Sequence, residues 1–337
     1  MTIRALKCPN CSAPVPPTTE SVIVCRYCDH TLADVPVLPW GSKLGRAPWP
    51  GRPEDRGRQR VRVEGHTWVV LGRLARGDGS DVFLARRDAR LTEHVVLKML
   101  RAPEDADLLR REQRALKRLE ASEAQGAPFF RTLLPQRVRH GAATLVSPRR
   151  GAGPLTSVFR WRSGFTHTLE DARAAYPAGV DPRAAVWMWK RLLELLGWVH
   201  RSGWVHGAVL PDHALLHARD HGVVLVGWSA ATWAAGAPEP LPCFSRAREA
   251  FYPKALRDGV ACAPAHDLVM SARVIAHVLG GGPEAVPAKV PAPVGALVRR
   301  CAAGDLPTED AWALKDAVAA AAKQVWGPPR YVKFTLR

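Results

Sequence analysis

Short apolar stretches in the first half of this chain are bounded by Gly, Asp or charged residues, a pattern that is typical of β-strands. Three of them follow one another closely, at Trp68–Gly72, Asp81–Ala85 and His94–Leu100. The apolar positions then change to helical spacing over about residues 107–121. The first half therefore predicts a small antiparallel sheet followed by a helix.

Helical patterns dominate the second half. Its main helix is predicted to begin after Asp181, an N-cap residue followed by Pro182, and to end before Gly203. A β-hairpin is predicted around the turn Asp220–Gly222, because apolar stretches lie on both sides of it. Further helices are predicted over residues 267–279, 294–303 and 308–325. Strands that come first and helices that follow indicate an α+β architecture with two lobes.

A proline-rich segment divides the chain. It carries Gly and Arg without a sustained apolar period, which predicts an extended linker after a short cysteine-rich domain. The predicted order is cysteine-rich domain, linker, strand-rich lobe, helical lobe and tail, with the bounds 1–32, 33–63, 64–148, 149–326 and 327–337.

Composition sets the class of protein. With 337 residues, 47% of them hydrophobic, the chain can build one large core and a small extra domain. It contains no apolar run long enough for a signal peptide or a membrane span, so we expect a soluble cytoplasmic protein. The formal net charge of +17 would attract nucleic acid or an acidic protein. The densest basic group lies in the predicted linker, however, and such groups are usually solvated chain.

Four of the seven cysteines form two tight pairs. Cys8 and Cys11 are separated from Cys25 and Cys28 by thirteen residues, and each pair has two residues between its members. This spacing can present four thiolates to one tetrahedral ion, so it predicts a structural zinc ribbon rather than four redox-active thiols. The fully cysteine ligand set leaves no open position for a catalytic water. The ribbon would dock either a protein or nucleic acid.

A resemblance to a known protein family becomes recognisable at Lys98. It covers about residues 67–325. The segment Val95-Val-Leu-Lys98 is similar to the third-strand motif of bacterial serine/threonine protein kinases, in which the lysine contacts ATP phosphates. Val96 stands where the family has a small alanine beneath adenine, so the resemblance implies a tighter pocket. The expected fold is a bilobal protein-kinase-like fold preceded by the zinc ribbon.

The segment before Lys98 resembles the kinase glycine-rich loop. Gly77 and Val82 follow the family pattern, but Ala75 and Ser80 replace the first and third glycines. Glu112, on the predicted helix, is the candidate partner of Lys98; alternatively it is a solvent-facing helix residue. The resemblance therefore implies a vestigial nucleotide site.

Residues 203–216 resemble the kinase catalytic loop without gaps. Ala208 stands at the catalytic aspartate, and His213 stands at the metal-binding asparagine. Gly227 stands at the aspartate that holds magnesium in the D-F-G motif. An alanine methyl cannot accept the proton of a substrate hydroxyl, and these positions lack the oxygen ligands that Mg²⁺ requires.

Scaffold residues of the family are present. Asp267 matches the buried aspartate that hydrogen-bonds the catalytic-loop backbone, and His206 is its usual companion. The segment Tyr252-Pro-Lys254 is a remnant of the activation-loop end and lacks the glutamate whose ion pair normally holds it.

Three functions fit these residues. The favoured one is a pseudokinase that acts by binding a partner protein, with structural Zn²⁺ and no Mg²⁺. The second is a weak or atypical ATP-dependent kinase or other group transferase that uses Lys98, Glu112 and Asp212 as a substitute acid. The third is a nucleic-acid-associated protein that binds through the ribbon and the basic linker. We expect ATP binding to be weak or absent.

Overall fold

The computed structural model describes residues 6–7, 11, 13–15, 22–27, 31–33, 59–89, 92–145, 153–237 and 239–336. The chain divides into two compact units. The first is Met1–Leu109 with Gln136–Ser163, and the second is Arg110–Pro135 with Gly164–Arg337. Cys8, Cys28 and most of the predicted linker lie outside the described residues.

The first unit is built from antiparallel strands. They are β1 Leu6–Lys7, β2 Pro14–Val15, β3 Val22–Val24, β4 Thr31–Ala33, β5 Arg60–Val63, β6 His66–Arg76, β7 Ser80–Arg87, β8 Thr92–Leu100, β9 Arg137–Leu145 and β10 Leu155–Arg160. Strands β5 to β10 pair in the closed ring β5-β6-β7-β8-β10-β9, because β5 pairs with both β6 and β9 and because β10 pairs with β8. Each strand of the ring therefore pairs on both sides, and only the first residues of β8, Thr92 and Glu93, lie outside the pairings with β7 and β10.

The interior of the ring follows from strand alternation. Apolar residues at every second position point inward and form one buried cluster: Val61, Val63, Trp68, Val70, Phe83, Ala85, Val95, Leu97, Ala143 and Val158. The strand β5 corrects the predicted linker, which was placed over 33–63. Its apolar residues alternate with arginines, which makes the sequence resemble linker, but the strand pairs with β6 on one side and with β9 on the other.

The hairpin of β3 and β4 extends the sheet at the start of β8. Strands β3 and β4 pair with each other, and Leu32 and Ala33 of β4 pair with Glu93 and Thr92. The cysteine-rich segment and the ring therefore fall in one unit. Residues 110–135 group with the second unit, whereas the predicted strand-rich lobe was placed over 64–148.

The second unit is mainly helical. Its helices are α1 Ala106–Glu120, which begins in the first unit, α2 Ala127–Phe130, α3 Leu169–Ala175, α4 Pro182–Arg201, α5 Lys254–Arg257, α6 Pro264–Val278, α7 Ala292–Ala303 and α8 Ala311–Trp326. Short strands lie between them at β11 Phe165–Thr168, β12 Trp204–Val205, β13 Ala214–His217, β14 Gly222–Leu225 and β15 Thr232–Trp233. Turns of 3₁₀ helix lie at Pro103–Asp105, Arg131–Leu133, Pro211–His213, Trp228–Ala230 and Arg246–Phe251.

Helix α4 is the centre of the second core. The Asp181 side chain accepts a hydrogen bond from the Arg183 backbone N–H at 2.7 Å, and Gly203 after the helix has a φ of 80°. Both predicted ends of this helix are confirmed. The helix packs against α6 and α8 through a face of fully buried Leu and Trp side chains.

The start of α8 was predicted wrongly. Asp310, not Thr308, is the N-cap, since its carboxylate accepts hydrogen bonds from Trp312 and Ala313. The Thr308 hydroxyl accepts a hydrogen bond from the Asp310 backbone N–H, so Thr308 lies just before the helix.

In the part of the chain that the structure describes, none of the helices combines the length and apolar character needed to cross a membrane.

Candidate functional site

Lys98 lies on β8 of the first unit and is half-buried. Its strand neighbours are Val82 on β7 and Ser157 on β10. Ser157 in turn pairs with His140 of β9, whose Nδ1 is 3.0 Å from the Ser157 Oγ. The predicted lysine and valine thus share one sheet face with a serine and a histidine that the sequence did not single out.

The same face is apolar near Val96, two residues before Lys98. Leu84 and Phe159 are its neighbours on the two adjacent strands. Leu84 belongs to a buried cluster with Val69 and Leu71, against which Trp161 packs. The sheet face that carries Lys98 and Val96 therefore also carries the large apolar side chains of Leu84 and Phe159.

Gly77 lies in a tight turn between β6 and β7. Its backbone N–H donates to the Ser80 carbonyl at 2.8 Å, and a Cβ at this position would lie 3.3 Å from that oxygen. Arg101 holds the other side of the loop, because its N–H donates to the Gly79 carbonyl at 3.1 Å and its guanidinium to the Asp78 carbonyl. The Gly77 N–H is thus directed into the turn.

In the second unit, the fully buried Asp267 of α6 organises residues 206–208. Its carboxylate accepts hydrogen bonds from the backbone N–H groups of His206 at 2.8 Å and Gly207 at 2.9 Å. The His200 Nε2 lies 3.0 Å from the same carboxylate. Burial raises the pKa of Asp267, but the hydrogen bond and charge of His200, with help from His206, bring that pKa below its ordinary value.

His206 is completely buried, and its hydrogen bonds define its tautomer. The Nδ1 accepts from the Ala208 N–H at 3.3 Å, so the proton is on Nε2, which donates to the Val226 carbonyl at 3.1 Å. The ring also packs edge-on against Trp228, with centroids 4.5 Å apart. This histidine holds residues 206–208 against the segment that contains Gly227.

The three predicted degenerate positions lie together in the second unit. His213 Nδ1 donates to the Ala208 carbonyl at 2.8 Å. Gly227 has a φ of 80°, and a Cβ placed there would lie 2.6 Å from the Cε1 and Nε2 atoms of the His213 ring. The imidazole therefore fills the space that a side chain at position 227 would need.

Glu112 is buried in α1, with only 2% of its surface exposed. The solvent-facing alternative for this residue is therefore wrong. Its Oε1 accepts a hydrogen bond from the Trp228 backbone N–H at 3.0 Å. Glu112 thus binds the residue that follows Gly227, a contact that sequence spacing could not show.

Asp212 is engaged by a basic side chain from the turn Arg246–Phe251. Arg248 Nε donates to its Oδ2 at 2.7 Å, and a second nitrogen of Arg248 lies 3.4 Å from Glu170. Burial lowers the pKa of Arg248, but the bonds to these two carboxylates outweigh burial and raise it. The proposed substitute acid is therefore one partner of an ion pair.

Two of the four predicted zinc ligands are described. The Sγ atoms of Cys11 and Cys25 lie 3.6 Å apart, and Cys25 is 3% exposed. This distance excludes a disulfide, whose sulfurs are about 2.05 Å apart. Bonds of about 2.3 Å to a tetrahedral Zn²⁺ would place two sulfurs about 3.8 Å apart. Within the described residues no group of three potential ligands forms, since Cys8 and Cys28 lie outside them.

Comparison with known proteins decides the fold. No family model matches this chain, and no curated protein matches it. The structure does match the kinase domain of Mycobacterium tuberculosis PknI, with a TM-score of 0.51 and 16% sequence identity. The match covers 76% of this chain and 95% of that domain.

The chain has a protein-kinase-like fold. The predicted α+β class is therefore confirmed. At 16% identity, the match shows the fold alone. The three predicted strands are β6, β7 and β8, and the predicted helix that follows them is α1.

A further buried residue was not identified from the sequence. Arg273 in α6 is 7% exposed, and its guanidinium donates to the carbonyls of Ala250, Tyr252 and Ala302. It also lies 2.5 Å from Glu284. These bonds hold the segment that lacks the usual glutamate. A lone arginine inside an otherwise apolar helix pattern was the signal that could have revealed it.

Proposed function

We propose that this chain is a pseudokinase, a kinase-like protein that acts by binding other proteins and does not transfer phosphate. The observation that carries the proposal is the His213 side chain. Its imidazole donates to the Ala208 carbonyl and fills the space beside Gly227. Positions 208, 213 and 227, which would supply the catalytic base and the metal ligands of an active kinase, thus carry groups that pack against one another.

The residues at these positions do not fit a magnesium ion. Mg²⁺ prefers near-octahedral oxygen ligands. Position 208 offers a methyl group, position 227 offers no side chain, and the 213 imidazole directs its Nδ1–H at a carbonyl. We therefore assign no step of phosphoryl transfer to this unit.

The group-transferase alternative depends on Asp212 as the acid or base. A general base must reach the proton that it removes, with a lone pair directed at it. Arg248 occupies the Oδ2 of Asp212 at 2.7 Å. This ion pair favours the binding function over the alternative.

Nucleotide binding provides a test. We expect that ATP with Mg²⁺ raises the melting temperature of the full chain no more than ATP alone, because positions 208, 213 and 227 carry neither a carboxylate nor an amide to hold the metal. A Lys98→Ala variant is the matched control and should respond as the wild type does. A large magnesium-dependent stabilisation that Lys98→Ala abolishes would contradict the proposal.

We further propose that Cys8, Cys11, Cys25 and Cys28 hold one structural zinc ion. The pairing pattern in the sequence and the 3.6 Å separation of the Cys11 and Cys25 sulfurs support it. With four thiolate ligands, the ion would stabilise the ribbon and would not activate a water.

The metal content of the purified chain tests this assignment. We expect about one zinc per chain in the wild type and a loss of zinc in the variants Cys11→Ser and Cys25→Ser. Cys243→Ser, which changes a cysteine of the second unit, is the matched control and should keep its zinc. Zinc that persists in a double Cys11→Ser, Cys25→Ser variant would rule out this ligand set.

A further inference from the structure

The segment after α8 lies on an aromatic surface of the second unit. The His221 ring is stacked between Trp187, 4.2 Å away and nearly parallel, and Tyr331 of the segment, 4.7 Å away. Phe334 packs on Tyr176 at 5.6 Å and edge-on against Trp187 at 6.0 Å. Residues 328–336 are here called the tail. Two aromatic rings of the tail thus pack against three rings of the surface.

Side chains of the surface also form hydrogen bonds with the tail backbone. His221 Nε2 donates to the Val332 carbonyl at 2.8 Å, and the Tyr176 hydroxyl donates to the Thr335 carbonyl at 2.7 Å. Among the described residues, the tail makes no backbone-to-backbone hydrogen bond. It is therefore held by side chains alone, which differs from the way a helix or a sheet strand is held.

The anchors follow a period of three. Tyr331 and Phe334 are three residues apart, and so are the two carbonyls that accept hydrogen bonds. An extended polyproline-type chain has three residues per turn, so positions i and i+3 share one face. Pro328 and Pro329 precede the anchors and favour this conformation. The surface thus recognises one face of an extended peptide.

Burial separates the anchors from the rest of the tail. Phe334 is 7% exposed, whereas Arg330 and Lys333 are exposed. Tyr331 is 66% exposed, with one ring face on His221 and its hydroxyl donating to the Arg219 carbonyl at 3.1 Å. Recognition therefore rests on the two aromatic side chains and the backbone, and the basic side chains contribute little contact.

One polar group of this surface is not satisfied by the tail. The Trp187 indole Nε1 is buried and has no hydrogen-bond partner within the described residues. A buried donor without an acceptor is destabilising. A different segment that places an oxygen at this indole would bind better than the tail, and a second copy of the same tail would not.

We propose that the groove formed by Tyr176, Trp187 and His221 is a docking site for an extended segment of a partner protein with aromatic residues three positions apart. The tail of this chain occupies the groove in cis and competes with that partner. This inference does not depend on the absence of phosphoryl transfer. It concerns other residues of the second unit, which lie at the end of α3, on α4 and in the β13–β14 turn.

The test uses a labelled peptide with the sequence of residues 328–337 and the full chain. The groove is opened by the double variant Tyr331→Ala, Phe334→Ala, and binding is followed by fluorescence anisotropy. We expect the opened variant to bind the peptide at least tenfold tighter than the wild type, because a tethered tail acts at an effective concentration of about millimolar. The matched control Lys333→Ala changes an exposed tail residue and should behave as the wild type.

Three results of the binding assay would overturn the proposal. They are equal affinity of the opened variant and the wild type, no binding to an opened variant that keeps its wild-type circular dichroism, and undiminished binding after a further Trp187→Leu change in the groove. If the double variant does not fold, Tyr331→Ala alone serves, since most of that side chain is exposed. A wild-type dimer that becomes monomeric in the opened variant would also overturn it, in favour of a second copy as occupant.

Discussion

Replacing Asp267 by alanine is expected to destabilise the second unit by about 3–5 kcal/mol, the usual result of removing one partner of a buried charged pair. The change would leave the backbone N–H groups of His206 and Gly207 without their acceptor, together with the His200 Nε2. Urea unfolding measures the loss as a fall in the midpoint at constant slope.

Asp316→Ala provides the control for that experiment. The Asp316 side chain is 75% exposed and pairs only with the neighbouring Lys315 in the described structure, so its removal should change stability by less than about 0.5 kcal/mol. A loss below 1 kcal/mol for Asp267→Ala would show that Asp267 does not organise residues 206–208.

The pKa of Asp267 gives this effect a pH dependence. Because the folded state lowers that pKa, the ionised carboxylate contributes stability above the unfolded pKa of about 3.9, and the contribution is lost as the pH falls through the folded value. The difference in stability between the wild type and Asp267→Asn should therefore shrink below about pH 4.

A second large effect is expected for Arg273→Met, at about 3 kcal/mol of destabilisation. The methionine fills a similar volume, but the carbonyls of Ala250, Tyr252 and Ala302 lose their donor in a buried region. Thermal unfolding measures the loss, and limited proteolysis over residues 231–262 should become faster because Arg273 binds the Ala250 and Tyr252 carbonyls within that segment.

Two further variants make the Arg273 result specific. Arg273→Lys should restore only part of the stability, since one ammonium cannot reproduce the planar fork of the guanidinium. Arg299→Met changes an exposed arginine on the adjacent α7 and should leave both readouts as in the wild type. Equal proteolysis of Arg273→Met and the wild type would contradict the role of Arg273.

Local signals in the sequence were enough for much of the fold. Asp181, Pro182 and Gly203 predicted α4 because capping acts within a few residues. The hairpin of β13 and β14 was predicted from its turn at Asp220–Gly222 for the same reason. The strand β5 was missed because its alternating arginines resemble linker, although it pairs with the adjacent β6 across the turn Glu64–Gly65. Its second partner, β9, lies about eighty positions away, and sequence spacing could not show that pairing.

The candidate site shows the same limit. The substitutions at Ala208, His213 and Gly227 could be read from the order of motifs. The consequence that the His213 ring fills the space beside Gly227 required the folded chain. Trp161, Arg248 and Arg273 lie outside the motifs and act through contacts that are distant in sequence, so no spacing predicted them.

The most direct test of the central claim is transfer of labelled γ-phosphate from ATP by the full chain, measured with Mg²⁺ and with Mn²⁺ against the Lys98→Ala variant. We predict that the wild type incorporates no more label into itself or into a general protein substrate than Lys98→Ala does, because position 208 has no carboxylate to accept the substrate proton and positions 213 and 227 offer no oxygen ligands for the metal. Metal-dependent incorporation by the wild type that is lost in Lys98→Ala would contradict the assignment as a pseudokinase.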